Sequence, residues 1–147
     1  MTVLNEMSIT FESRSSNEAF ARSAVAAFVM QLDPTVGEIS DLKTAVSEAV
    51  TNCVVHAYRH SIGTIRISVR LLPDYTIMIR IADKGCGMED VHKAMEPLYT
   101  SLPEEERAGL GFAVMQSFCD SVSVRSTPGK GTVVTLKKRL SPRYANG

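Results

Sequence analysis

Three short segments of this chain hold residue types that can do chemistry. Glu48-Ala-Val-Thr-Asn52 sets a carboxylate and an amide four residues apart, so on a helix they stand one above the other. Asp83-Lys-Gly85-Cys-Gly87 puts a carboxylate at the end of an isoleucine-rich run, followed by two glycines. Arg107-Ala-Gly109-Leu-Gly111-Phe112 reads as the opening of a later helix. A carboxylate only accepts hydrogen bonds, and adenine offers an N6 amine where guanine offers an oxygen, so Asp83 would select ATP over GTP. Gly85 and Gly87 would let the backbone approach the flat base, and Thr132, next to Gly131, could add a hydroxyl beside it. Free N–H groups and the dipole at a helix start at Gly109-Leu-Gly111 favour phosphate. Arg107, just before it, could reach a terminal phosphate and offset charge in phosphoryl transfer. The Asn52 oxygen is a hard ligand suited to Mg2+, and Glu48 could take a proton from an attacking hydroxyl. The order describes an ATP site without a P-loop, since no GxxxxGK[ST] occurs.

Singly, each residue also fits a plain role. Glu48 and Asn52 suit a solvated helix face, Asp83 and its glycines a tight turn, and Gly131-Thr132 a hairpin turn. Arg107 alone is as well explained as an exposed cation after an acidic run.

The elements that must position these residues follow from periodicity. Met7 to Ser13 alternates as a half-buried strand. Ser15-Ser-Asn-Glu18 offers a capping box for a helix whose apolar face is Phe20, Ala24, Ala27 and Phe28, ended by Asp33-Pro34. Thr35-Val-Gly-Glu38 is a second capping box, opening a long helix with a stripe of Ile39, Leu42, Val46, Ala49, Val50, Cys53 and Ala57. Ile65 to Leu71 and Ile77 to Ile81 alternate about a Pro73-Asp74 turn as an antiparallel hairpin. Met88 to Met95 is expected as a short helix, and Glu96 to Ala108, with two prolines and three glutamates in a row, as an exposed loop. A helix from about Gly111 to Cys119 and a hairpin, Val122 to Arg125 with Thr132 to Lys137, complete the order β-α-α-β-β-α-α-β-β. That order predicts an α/β (α+β) two-layer sandwich, with a mixed, mostly antiparallel sheet and helices on one face. One domain over residues 1–140 and a disordered tail from Ser141 to Gly147 are expected.

Composition narrows the function classes. Sixteen basic and sixteen acidic residues cancel, so no global field draws the chain to nucleic acid or to an anionic membrane. Cys53, Cys86 and Cys119 are odd in number and lack CxxC spacing, which argues against a disulfide framework or zinc site and for a reducing cytoplasm. No signal-peptide h-region and no run of membrane-spanning length occurs.

The three segments resemble the N, G1 and G2 boxes of the GHKL ATPase superfamily, which includes gyrase, histidine kinases and the anti-sigma kinases. The resemblance extends to Asn17-Glu-Ala-Phe-Ala-Arg22, Ala26 to Pro34, Ser47 to Asn52 and Pro97-Leu-Tyr-Thr100, which look like the bacterial sporulation anti-sigma-F family, nearly to Lys138. It implies a serine-protein kinase that binds sigma-F as an ATP-holding homodimer and phosphorylates a small anti-anti-sigma protein, keeping ADP. Carried over by motif, Glu48 is the base and Asn52 the Mg2+ ligand. Asp83, Gly85, Gly87 and Thr132 lie at adenine, Arg107, Gly109 and Gly111 at phosphates, and the lid residue Thr100 belongs to the nucleotide site. Arg22 matches a family contact used by both partners, and by periodicity it lies exposed, opposite the Phe20/Ala24/Phe28 stripe. The lid departs from the pattern at Leu102, where related sequences often carry Lys, so a cation near phosphate is missing. Two alternatives remain open: a stress-response anti-sigma-B type kinase, and a non-catalytic binding module that uses nucleotide only to set its shape.

Overall fold

In a β-strand side chains alternate between faces, and this rule sets the architecture of the chain. The structure, a computed structural model, describes residues 2–91 and 103–142, without the side chains of 103–110. Strand β1 spans Asn5–Glu12, helix α1 Asn17–Val29 and helix α2 Val36–Asn52. Strands β2 and β3 are Thr64–Leu72 and Thr76–Asp83. Helix α3 is Pro103–Phe118, and strands β4 and β5 are Ser121–Thr127 and Gly131–Arg139. A 3₁₀ turn at Met30–Leu32 follows α1, and a π turn at Cys53–Ala57 follows α2.

The five strands pair in the order β1-β2-β3-β5-β4. Ile65, Ile67, Val69 and Leu71 of β2 and Ile77, Ile79 and Ile81 of β3 are buried on one face. There they meet Leu42, Val46, Ala49 and Val50 of α2, with Ala21, Val25 and Val29 of α1 and Phe112 and Met115 of α3 in the same core. Each fully buried Ile contributes about 1.5–3 kcal/mol. Asp83 is the next step of the 77-79-81 alternation, so the strand's own period carries its carboxylate onto the helix-covered face.

Several expectations are corrected. All four strand pairs are antiparallel, not mixed. The crossover through α3 does return β4 parallel to β3, but β5 folds back as a hairpin and takes the place between them. The Ser15/Glu18 capping box is not formed, whereas that of Thr35 and Glu38 is. Helix α1 buries Ala21, Val25 and Val29, a face turned one residue from the predicted stripe, while Phe20 is 52% exposed and packs edge-on against Phe11. Small side chains let α1 lie close to α2, and the rotation leaves the larger ring at the β1 edge.

Residues 88–90 are not helical, and the rest of the predicted 88–95 helix, beyond a helical Val91, lies outside the described residues. Helix α3 begins at Pro103, eight residues before the predicted start. Pro fits the first helical position and Glu104-Glu105-Glu106 the positive end of the dipole, so these residues start a helix rather than break one. The tail is anchored at its first residue, because the Ser141 N–H donates to Glu38 Oε2 at 2.8 Å; residues 143–147 lie outside the described ones.

Candidate functional site

Asp83, Thr132 and Ser126 form one cross-strand row over β3, β5 and β4 at the end of the sheet. Asp83 Oδ1 accepts from the Gly85 N–H at 2.9 Å and the Thr132 N–H at 3.2 Å. Its Oδ2 lies 3.5 Å from Cys53 Sγ, which donates to it from the π turn above. Burial raises the Asp83 carboxyl above its ordinary range, with the bonds from Gly85, Cys53 and Thr132 pulling the other way. Burial first, and then the charge of Asp83, push the Cys53 thiol well up, so it stays protonated and serves as a donor.

The loop after β3 is held on two sides. The Cys86 N–H donates to Ala57 O at 3.0 Å and the Gly129 N–H to Cys86 O at 2.7 Å. The Tyr58 hydroxyl accepts from the Lys84 N–H at 2.6 Å and donates to Thr64 O at 2.8 Å. A Cβ on Gly85 would sit 2.3 Å from Ala57 O, and one on Gly87, at φ +72°, 2.2 Å from Thr127 O. These glycines therefore admit neighbouring backbone, where the sequence suggested only close approach to a base. Gly85→Ala is expected to destabilise the fold by about 1–3 kcal/mol, read as a lowered melting temperature.

The second cluster lies on α2. Glu48 and Asn52 share an edge that faces α3 at Gly111, where a Cβ would come within 3.2 Å of Glu48 Oε2 and 3.3 Å of Asn52 Oδ1. Gly111 and Gly109 lie inside α3, so their N–H groups point along the helix ladder and are not a helix start, which is a correction to the predicted phosphate cradle. What Gly111 provides is close packing of α3 on the Glu48/Asn52 edge. Asn52 Nδ2 is buried without a hydrogen-bond partner among the described residues, which is uncommon for a buried amide. Because Cys53 follows Asn52 directly, the end of α2 links the two clusters.

Arg22 is not opposite the core. Its side chain is 38% exposed, pairs with Glu18 at 3.0 Å, and lines a groove of about 420 Å³ with Val36, Ile39, Lys43 and Glu48. The one-residue rotation of α1 thus brings Arg22 to the same groove as the candidate base. Thr100, Leu102 and the Arg107 side chain lie outside the described residues. Sequence reasoning took Cys53 only as core and did not single out Tyr58 or Ser126. The i, i+1 adjacency of Cys53 to Asn52 and the period of two through Ser126 were the available signals.

Comparison with known proteins decides the family. The pattern of the histidine kinase-like ATPase domain matches residues 11–138. An anti-sigma F factor of Caldanaerobacter subterraneus subsp. tengcongensis is 59% identical over 136 residues, covering 92% of this chain and 94% of the relative. One from Clostridium beijerinckii is 54% identical over 93% of this chain and 96% of its own. The chain belongs to the anti-sigma F factors of the histidine kinase-like ATPase family. Membership of that ATPase family brings nucleotide binding with it. The fold of this family member is also that of solved relatives. The RsbU and RsbW domains of Rv1364c from Mycobacterium tuberculosis align with TM-score 0.69 at 20% identity, over 92% of this chain and 32% of that one. The mycobacterial sensor histidine kinase MprB aligns at 0.57 and 15% identity, over 92% of this chain and all of the other. In this anti-sigma F family member no helix among the described residues is long and apolar enough to cross a membrane.

Proposed function

We propose that this protein captures sigma-F and, with ATP, phosphorylates a serine of an anti-anti-sigma protein, acting as a homodimer. The relatives' names support the sigma-F half. The observation that carries the kinase half is the Glu48/Asn52 edge packed on Gly111, one residue along the chain from the Asp83 row. Glu48 lines the groove beside Arg22, where its carboxylate takes the serine proton as the serine oxygen bonds to the terminal phosphorus and ADP leaves. Asp83 accepts the adenine amine, with Gly87 and Thr132 beside it. Arg107 is assigned to the phosphates, and Thr100 to the nucleotide, by resemblance.

Mg2+ fits the donor set. A hard amide oxygen beside phosphate oxygens suits Mg2+, which binds through few protein ligands. Asn52 Oδ1, on the edge that faces Gly111, is the atom that would hold it. When bound, the ion offsets phosphate charge.

The groove that Arg22 shares with Glu48 supports a partner surface beside the base. The pair of Arg22 with Glu18 is part-exposed and contributes little to folding. Arg22→Ala is expected to weaken capture of both protein partners by about 2 kcal/mol, with ATP affinity and melting temperature unchanged. A pull-down with each partner beside an ATP titration measures this, and normal capture of both would remove Arg22 from the interface. The kinase reading is tested by incubating the protein with γ-labelled ATP and an anti-anti-sigma protein. Label on serine is expected. ATP binding without transfer would leave a nucleotide-dependent binding module.

A further inference from the structure

The row that begins at Asp83 does not end at Thr132. Ser126 stands directly across from Thr132 in the β4-β5 register, its hydroxyl 2.7 Å from Thr132 Oγ1. The same oxygen accepts the Met88 N–H at 2.8 Å, from the residue after Gly87, and lies 3.2 Å from Gly131 O. We propose that Ser126 is a positioning residue for the base-binding end of the site, fixing both the Thr132 hydroxyl and the loop after Gly87. The proposal rests on the reading that Asp83 and Thr132 hold adenine.

Proton bookkeeping gives the reason. A serine hydroxyl has one proton, and the Met88 N–H already occupies one of its lone pairs. The remaining proton has two takers. Given to Gly131 O, it makes Thr132 the donor to Ser126 and leaves Thr132 only lone pairs for the pocket. Given to Thr132 Oγ1, the closer acceptor, it releases the Thr132 proton toward the pocket. Adenine presents an acceptor, N1, beside its N6 amine. An ionised Asp83 can accept from the amine but cannot donate to N1, and the Thr132 hydroxyl, held in the same row, is a donor for that edge. Ser126 supplies that polarity by rotating its own O–H, and it ties the glycine loop to the strand carrying Thr132.

Ser126→Ala removes the relay and frees both Thr132 and the Met88 N–H. ATP affinity is expected to fall about 3- to 10-fold, the size of one or two neutral hydrogen bonds. GTP affinity should stay where it is, so the ATP/GTP ratio drops. In transfer assays KM for ATP rises while kcat at saturating ATP holds. Ser126→Thr keeps a hydroxyl at a strand position that suits β-branching, and should restore ATP affinity to within about twofold. Titrations with ATP and GTP on the wild type and both variants, beside melting curves, make the test. ATP affinity of Ser126→Ala within twofold of wild type would overturn the proposal. So would loss of ATP and GTP binding together with a lowered melting temperature, which would mark Ser126 as a strand anchor only. A wild type that binds no ATP would instead overturn the reading of the site itself, a separate failure.

Discussion

Asp83→Asn is expected to lose most nucleotide binding while the ligand-free protein stays at least as stable. In the wild type Oδ1 is occupied by two backbone N–H groups and, among the described residues, Oδ2 meets only the weak thiol donor of Cys53, so Oδ2 is the oxygen left for the adenine amine. An amide at this position can set its own N–H against that amine. The loss of a hydrogen bond to a charged group is about 1.5–3 kcal/mol, roughly ten- to a hundredfold in affinity. Stability moves the other way. Burial raises the carboxyl, so the folded protein holds the proton more tightly than the unfolded chain. Asp83 therefore adds stability below its unfolded value and loses it as pH rises through its folded value. At neutral pH the buried charge is a net cost to the ligand-free protein, and Asn removes it. ATP and GTP titrations with melting curves from mildly acid to neutral pH check both halves. Unchanged ATP affinity would make Asp83 a turn residue. A melting temperature that falls at neutral pH would refute the burial argument.

Glu48→Gln should separate binding from chemistry. Gln keeps the shape, and the close approach of Gly111 to Oε2 tolerates an isostere, so α3 still packs on α2. What is lost is the capacity to take a proton. A positioned general base is worth about 10²–10⁴ in rate. Transfer from ATP to the anti-anti-sigma serine should fall by that order, with ATP binding and sigma-F capture kept. Single-turnover kinetics with labelled ATP measures it. A rate within a few-fold of wild type would leave Glu48 a groove residue with no role as base.

The sequence was legible where the deciding partners are close in the chain. The Thr35/Glu38 box is closed by residues three apart, and it forms as read. The β2-β3 hairpin follows from two alternating runs and a short turn, with Asp74 and Tyr75 both at positive φ. The α1 face was misread because Phe20 and Ala21 are both apolar, and helical period alone does not say which of two adjacent residues faces α2. The start of α3 was misread because Pro103 and three glutamates were weighed as breakers, although a first-turn Pro followed by acids is also a helix opening.

By itself the sequence determined the residue types on which the site depends: a carboxylate and an amide one helical turn apart, and an acceptor-only group at a strand end. These are local properties of spacing and side-chain chemistry. Only the tertiary structure decided what each residue faces. Gly85 and Gly87 prove to be pressed against Ala57 and Thr127 carbonyls, Gly111 against Glu48 and Asn52, and Arg22 shares a groove with Glu48. Cys53 and Ser126 gain their places beside Asp83 and Thr132 from helix-on-sheet packing and strand register. Such contacts join residues far apart in the chain, 49 positions between Asp83 and Thr132, and no local period encodes them.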